Sequence, residues 1–370
     1  MSTALLAPRE ALAAPSVRLR GFHPGWYGAV MGTAIIGIIA YQNPGEIGSL
    51  AWAGRWFGVA MVGLSALLAV GLGIPYAARW LRHPRDARAD LANPVVGALY
   101  GTFPGGILVL AVGIATAGPS VFSVGATATL VAVLAAVGIV LAFLVSVAFA
   151  AMLFVNAGTD PRAANGGWFI PPVVNIIVPM ALMPLAPHVA VADLPMLVAA
   201  GYAFWGMGFL LFVLVASLLY DRLVFHPLPE APLAPSLWIG LGPIGVGSLA
   251  LLRLGQAGGP LWGNAAPILA TASSLAATML WGFGIWWLAA AIVLLVAYLR
   301  RGRLPYGLGW WAFTFPLGAY TASTLAIGRA WHAGWLEAFA VALFVLLVAF
   351  WLVVTSGTLA ATRSGRIWER

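Results

Sequence analysis

Two short stretches decide the fold of this chain: Thr102-Phe103-Pro104-Gly105-Gly106 and Thr314-Phe315-Pro316-Leu317-Gly318. Both spell Thr-Phe-Pro-x-Gly, and both lie inside apolar runs of the length that crosses a bilayer. A weaker copy, Gly242-Pro243-Ile244-Gly245, and the pair Pro171-Pro172 complete a series of prolines at 104, 172, 243 and 316, with intervals of 68, 71 and 73 residues. A period near 70 residues accommodates two spans and their loops, so the repeating unit is a helical hairpin. His23-Pro24-Gly25 and Gly32 make a poorer copy near the amino end.

The composition supplies the solvent for these hairpins. Hydrophobic residues are 62% and charged residues 8% of the 370, with a mean hydropathy of +0.98. A soluble domain has roughly 45–50% and about 25% respectively, so the lipid bilayer is the environment. Apolar stretches of about 20 residues fall near 24–42, 55–78, 96–117, 122–152, 168–186, 194–220, 236–254, 270–299, 308–328 and 334–358. Residues 261–269 suit either a re-entrant turn or the start of the eighth span, which leaves nine or eleven as alternatives to ten. The expected architecture is an all-α polytopic membrane protein of ten transmembrane helices, built as five hairpins in a quasi-five-fold arrangement. The hairpins are about 23–78, 94–153, 166–221, 235–299 and 307–359, in a membrane domain 23–360 between tails 1–22 and 361–370.

Charge sets the orientation. All 18 basic residues are arginine. The tails and the loops after even spans hold Arg9, Arg18, Arg20, Arg79, Arg82, Arg85, Arg88, Arg162, Arg222, Arg300, Arg301, Arg303, Arg363, Arg366 and Arg370, against Arg55, Arg253 and Arg329 on the other side. The positive-inside rule then places both termini in the cytoplasm, across a cell (inner or plasma) membrane. The net charge of +8 is topological and gives no basic face for nucleic acid.

Several chemistries are missing. There is no cysteine, and His23, His83, His188, His226 and His332 lie at span ends or in loops, so neither a metal site nor a haem is expected, nor any other cofactor. No nucleotide-binding, metalloprotease or nucleophile-elbow motif occurs, and an enzyme is not expected. No Asp, Glu or Arg falls near the middle of a span, which disfavours cation sites and proton relays.

The prolines indicate a path. In the third, seventh and ninth spans the proline lies about eight residues in, roughly 12 Å deep at 1.5 Å per residue. A proline inside a helix removes a donor and bends the chain, which would free the carbonyls of Tyr100, Ile239 and Ala312. Broken backbone at membrane depth is tolerated when it is buried in protein or lines a wet cavity, so the odd spans should form an inner ring kinked at Pro104, Pro172, Pro243 and Pro316, with Gly106, Gly245 and Gly318 allowing close approach. The polar candidates for its lining are Thr33, Thr102, Asn175, Thr314 and Thr321, each also suited to an interhelical hydrogen bond. Helix ends exposed mid-membrane, without fixed carboxylates, favour anions. Phe103 and Phe315 precede kink prolines and are candidate gates, with packing against a neighbouring helix the simpler reading for Phe103. Trp26, Trp286, Trp287, Trp310 and Trp311 are expected in interfacial belts.

Leu308-Gly309-Trp310-Trp311-Ala312-Phe313-Thr314-Phe315-Pro316-Leu317-Gly318 resembles the ninth span of the tellurite-resistance/dicarboxylate transporter family, which includes the bacterial TehA proteins, plant slow anion channels, fungal malate permeases and fungal sulfite exporters. The first span, His23-Pro24-Gly25-Trp26-Tyr27-Gly28-Ala29-Val30-Met31-Gly32-Thr33, the third, Gly101-Thr102-Phe103-Pro104, and the fifth, Gly167-Trp168-Phe169-Ile170-Pro171-Pro172, match it in order, and the likeness runs from about 22 to 358. The resemblance implies a homotrimer with one pore per protomer, odd helices inside, and a phenylalanine gate that falls on Phe315. It implies a small anion as substrate: an inorganic anion, sulfite or a four-carbon dicarboxylate such as malate. Channel and proton-coupled carrier both stay open, and a membrane enzyme or scaffold is the remaining alternative. The wording of the ninth span is closer to the malate and sulfite carriers, yet the basic residue expected along a dicarboxylate path is absent from the middle of every span.

Overall fold

The computed structural model describes residues 15–155, 158–302 and 304–368. Arg9, Arg303 and Arg370, and most of the expected amino-terminal tail, lie outside these residues. Among the described residues there is no strand. Nine helical segments among the described residues are long and apolar enough to cross a membrane: α1 (Pro24–Tyr41), α2 (Gly48–Arg82), α3 (Gly97–Ser120), α4 (Val124–Val155), α5 (Gly166–His188), α6 (Leu194–Phe225), α7 (Ala231–Ala257), α8 (Gly259–Arg301) and α10 (Gly334–Ser364). Between the last two, α9 is divided into a 3-10 turn, Leu308–Phe313, and a 16-residue α-helix, Phe315–Ala330. Residues 261–269 run from the short helix Gly259–Trp262 through the 3-10 turn Gly263–Ala265 into the long helix Ala266–Arg301.

The odd helices form a closed ring, α1 against α3, α3 against α5, α5 against α7, α7 against α9, and α9 back against α1. Each even helix packs on its own odd partner and on the next odd helix around the ring. The two sets differ in surroundings: 72–89% of the apolar window is buried in α1, α3, α5 and α7, against 17–28% in the even helices. The even helices therefore present Leu67, Val133, Leu210 and Met279 outward, as a lipid-facing wall must.

Every odd helix is built from two parts. Its α-helical portion begins at Gly28, Thr102, Ile170, Leu241 or Phe315 and has only 13–17 residues, about 20–26 Å at 1.5 Å per residue. That is short of a hydrocarbon core of about 30 Å. A 3-10 segment ahead of it, Pro24–Tyr27, Gly97–Gly101, Gly166–Phe169, Ala231–Gly240 or Leu308–Phe313, supplies the remaining length.

The prolines therefore do not kink continuous α-helices. Pro104, Pro172, Pro243 and Pro316 stand in the first turn of an α-helical portion, where the missing N–H has no intrahelical partner to lose. Of the carbonyls expected to be free, those of Tyr100 and Ile239 accept the N–H groups of Thr102 and Leu241. The amino end of α1, a weak copy in sequence, makes the same transition at Tyr27 and Gly28.

Glycines close the ring. A Cβ on Gly245 of α7 would lie 2.5 Å from the backbone of Ala319 and Tyr320 on α9, and one on Gly318 would lie 2.6 Å from Ile35 on α1. Only hydrogen at those positions lets the axes come so near. Gly106 is similarly filled by the Tyr27 ring at 2.7 Å.

The tryptophans are only partly interfacial. Trp26, Trp287 and Trp311 are buried, and the indoles of Trp287 and Trp311 donate to the Leu237 carbonyl at 3.0 Å and to Thr358 Oγ1 at 3.1 Å. A large ring with one donor packs well between helices once that donor is satisfied. Trp52, Trp331 and Trp335 are exposed instead, beside the loops following odd helices.

Candidate functional site

The ring encloses two cavities. The larger, about 710 Å³, opens where the odd helices end and is lined by the carboxyl-terminal halves of all five. The smaller, about 110 Å³, lies among the 3-10 segments and the first α-helical turns. Phe315 lines both. Its buried ring stands at the start of the α-helical part of α9, between a narrow chamber on the side of the chain ends and a wide vestibule on the other.

The lining is one stripe from each odd helix. Around the vestibule run Ile35 and Ile38 of α1, Val109 and Val112 of α3, Ile177 and Met180 of α5, Val246 and Leu249 of α7, and Ala319 and Ala322 of α9. The stripes continue into the chamber through Met31, Thr102, Val173, Gly242 and Phe315. Steps of three and four residues keep one helix face on the axis. The same spacing, 242, 246, 249, 253, is an ordinary apolar stripe in the sequence, and its one legible signal is that it ends on arginine.

Electrostatically the path is one-sided. Among the described residues no Asp or Glu lines either cavity. The α-helical portions of all five odd helices begin around the chamber, so their positive dipole ends converge there. His23, Asn165 and Ser236 stand at its entrance, where the His23 and Asn165 side chains accept the N–H groups of Gly25 at 3.1 Å and Gly167 at 2.8 Å and so start two of the 3-10 segments. Arg253 and Arg329 line the opposite mouth.

The residues expected at the site separate into two groups. Phe315, Thr102 and Pro316 line the chamber, and the Thr102 hydroxyl is engaged at 2.8 Å by the carbonyls of Pro24 and Leu99. Phe103 lines neither cavity. It stacks on Tyr76 at 4.4 Å and meets Tyr27 edge-on at 4.6 Å, so packing accounts for it. Thr33 Oγ1 accepts from the Trp351 indole on α10 at 3.1 Å, and Asn175 Nδ2 donates to Ser146 Oγ on α4 at 2.5 Å. Thr314 and Thr321 bond to carbonyls of their own helix at 2.7 and 2.8 Å. Thr33, Asn175, Thr314 and Thr321 line neither cavity; they hold helices rather than the path. Among the described residues no cluster of His, Asp and Glu could hold a metal ion.

A ring of five helical hairpins around an interrupted, carboxylate-free path defines a multi-pass membrane protein of anion transport. The sequence profile of the voltage-dependent anion channel family (SLAC1) matches residues 21–359, and the chain belongs to that family. It is 31% identical to an uncharacterized transporter of Methanocaldococcus jannaschii over 95% of this chain and 96% of that protein. It is 26% identical to a sulfite efflux pump of Trichophyton rubrum over 91% of this chain and 90% of the pump. Over 55% of this chain and 48% of the relative it is 24% identical to a malic acid transport protein of Schizosaccharomyces pombe.

Proposed function

We propose that the protein moves small anions through a pore within each protomer, closed by the side chain of Phe315. The observation that carries this reading is the position of that ring, which borders both chamber and vestibule. An aromatic ring in an apolar constriction excludes water and, with it, a hydrated ion. Convergent helix starts and the lack of lining carboxylates favour anions over cations. The family resemblance supports a homotrimer. The distribution of arginines supports an inner-membrane protein with both termini cytoplasmic.

Among anions, sulfite and four-carbon dicarboxylates come first, because full-length relatives include a sulfite efflux pump and a partial one is a malic acid transport protein. The pump's name also supports a carrier as the second reading. Among the described residues His23 is the titratable side chain other than arginine and tyrosine that lines this path, and proton coupling through it would depend on that residue.

The test is flux of chloride, nitrate, sulfite and malate from liposomes containing the wild type or Phe315→Ala. The variant is expected to pass at least one anion on the order of tenfold faster. Equal flux for all four would remove Phe315 as the gate, and preference for potassium over every anion would overturn the reading as a whole. Flux that saturates and follows an imposed pH gradient identifies a carrier; large unitary currents identify a channel.

A further inference from the structure

Three arginines occupy the vestibule side of the molecule, and their surroundings give them different work. Arg329 is held by Glu337 at 2.9 Å and Glu46 at 3.7 Å, and it donates to the carbonyls of Gln42 and Asn43 at 3.0 and 3.2 Å. Its charge is neutralised and its donors tie the end of α9 to the α1–α2 loop and to α10. Arg55 is engaged by Ser120 Oγ at 3.1 and 3.2 Å and lies over the Tyr41 ring at 5.8 Å, outside the vestibule lining. Arg253 differs from both. It is exposed on the vestibule face of α7, and among the described residues no carboxylate pairs with it.

Gln256, also exposed and also lining the vestibule, follows Arg253 by three residues and so shares its helix face. The pair offers a planar fork of guanidinium donors beside an amide donor. That geometry suits the oxygens of a carboxylate or a sulfur oxyanion better than it suits a spherical halide. Low-dielectric walls of Ile, Val, Met and Ala surround it, and such walls focus the field of an uncompensated charge into the opening.

We propose that Arg253, with Gln256, is the capture site for an oxyanion entering the vestibule, while Arg329 is a structural clamp. The proposal rests on the reading of the protein as an anion transporter and assigns the ligand chemistry at one mouth of that path.

The experiment measures initial flux of malate, sulfite and chloride against concentration in vesicles presenting the vestibule to the substrate, at low and high ionic strength, for the wild type, Arg253→Gln and Arg253→Lys. Arg253→Gln is expected to raise the half-saturating concentration of malate and sulfite about tenfold at low salt, with maximal flux within twofold and the difference shrinking at high salt. Arg253→Lys keeps the charge and loses the fork, so it should cost the two oxyanions about threefold and leave chloride unchanged. Indifference of all three fluxes to Arg253→Gln overturns the site. Full rescue of both oxyanions by lysine overturns its oxyanion chemistry. Absence of any anion flux in the wild type instead overturns the transport reading, which keeps the two failures distinct.

Discussion

Gly242 on α7 faces the ring of Phe315 on α9: a Cβ built at 242 would come to lie 3.9 Å from Phe315 Cε1, 3.6 Å from Val173 and 3.8 Å from Pro316. These are ordinary contacts, so alanine fits without displacing anything. Gly242→Ala should fold normally and gain about 0.5–1 kcal/mol from the reduced freedom of the unfolded chain. The added methyl fills space beside the proposed gate on the chamber side, and anion flux from liposomes should fall at least severalfold. Unchanged flux together with a raised melting temperature would show that the ring does not move toward α7.

Gly245, one turn further along α7, predicts the opposite outcome for stability. Its Cβ would stand 2.5 Å from backbone atoms of Ala319 and Tyr320, and backbone cannot swing aside as a side chain can. Gly245→Ala should cost about 1–3 kcal/mol as the ring is forced apart, read as a lower melting temperature in detergent. Alanine at Gly282, where a Cβ meets nothing within 4 Å, is the unhindered control and should keep or raise the melting temperature.

Asn175 is expected to matter for stability and not for selectivity. Its Nδ2 bridges Ser146 Oγ at 2.5 Å and the Pro171 carbonyl at 2.8 Å, joining α4 to the proline-broken start of α5. Asn175→Leu loses both bonds, while Ser146 Oγ keeps its own bond to the Pro171 carbonyl at 2.8 Å and the unpartnered Asn175 Oδ1 is removed, so stability should fall by only about 0.5–1.5 kcal/mol. The ratio of malate to chloride flux should not change, and a shift in that ratio would return Asn175 to the path.

Arg79 anchors the cytoplasm-proposed end of α2 from a buried position, donating to Asp90 Oδ2 at 2.5 Å, to the Tyr100 hydroxyl at 3.1 Å and to the Arg20 carbonyl at 2.9 Å. Removing one partner of a buried pair strands the other, so Arg79→Ala should cost about 3–5 kcal/mol. Loss of folded protein on size-exclusion chromatography would show it.

The exposed pair Arg20–Asp86, 3.0 Å apart, has a pH signature. The hydrogen bond from Arg20 holds the Asp86 carboxyl below its ordinary value. A depressed carboxylate contributes above its unfolded value and loses that contribution as pH falls through the folded one. Attachment of the segment around Arg20 should therefore be constant from pH 5 to 8 and weaken below about pH 4. Protease access near residue 20, compared at about pH 7 and about pH 3, measures it.

Much of this was readable from the chain because membrane helices obey local rules. Length and hydropathy mark the crossings, and the duplicated Thr-Phe-Pro-x-Gly motif exposes the hairpin repeat and points to Phe315. The first copy leaves Phe103 open between a gate and a packing residue. Both phenylalanines precede a proline, but only the fold shows that Tyr27 and Tyr76 wait beside one and two cavities beside the other. The prolines likewise read as mid-helix kinks, since a pattern of residues does not reveal that a 3-10 segment precedes each one. Thr33 and Asn175 stay open between two readings for a related reason: a hydroxyl or amide in a span serves a path or a neighbouring helix equally well until rotation about the helix axis is known.

The sequence by itself determined that this chain is a repeated-hairpin membrane protein, with arginines distributed so as to orient it and almost no charge within it. Those properties depend on composition and on spacing along one dimension, where the cost of burying charge in lipid acts residue by residue. The tertiary structure alone decided which stripe of each odd helix faces the axis, where the ring is pinched, and which of three similar arginines keeps an uncompensated charge. Those depend on contacts between residues as distant in the chain as Gln42 and Arg329, 287 positions apart, and only close packing of the closed ring brings them together.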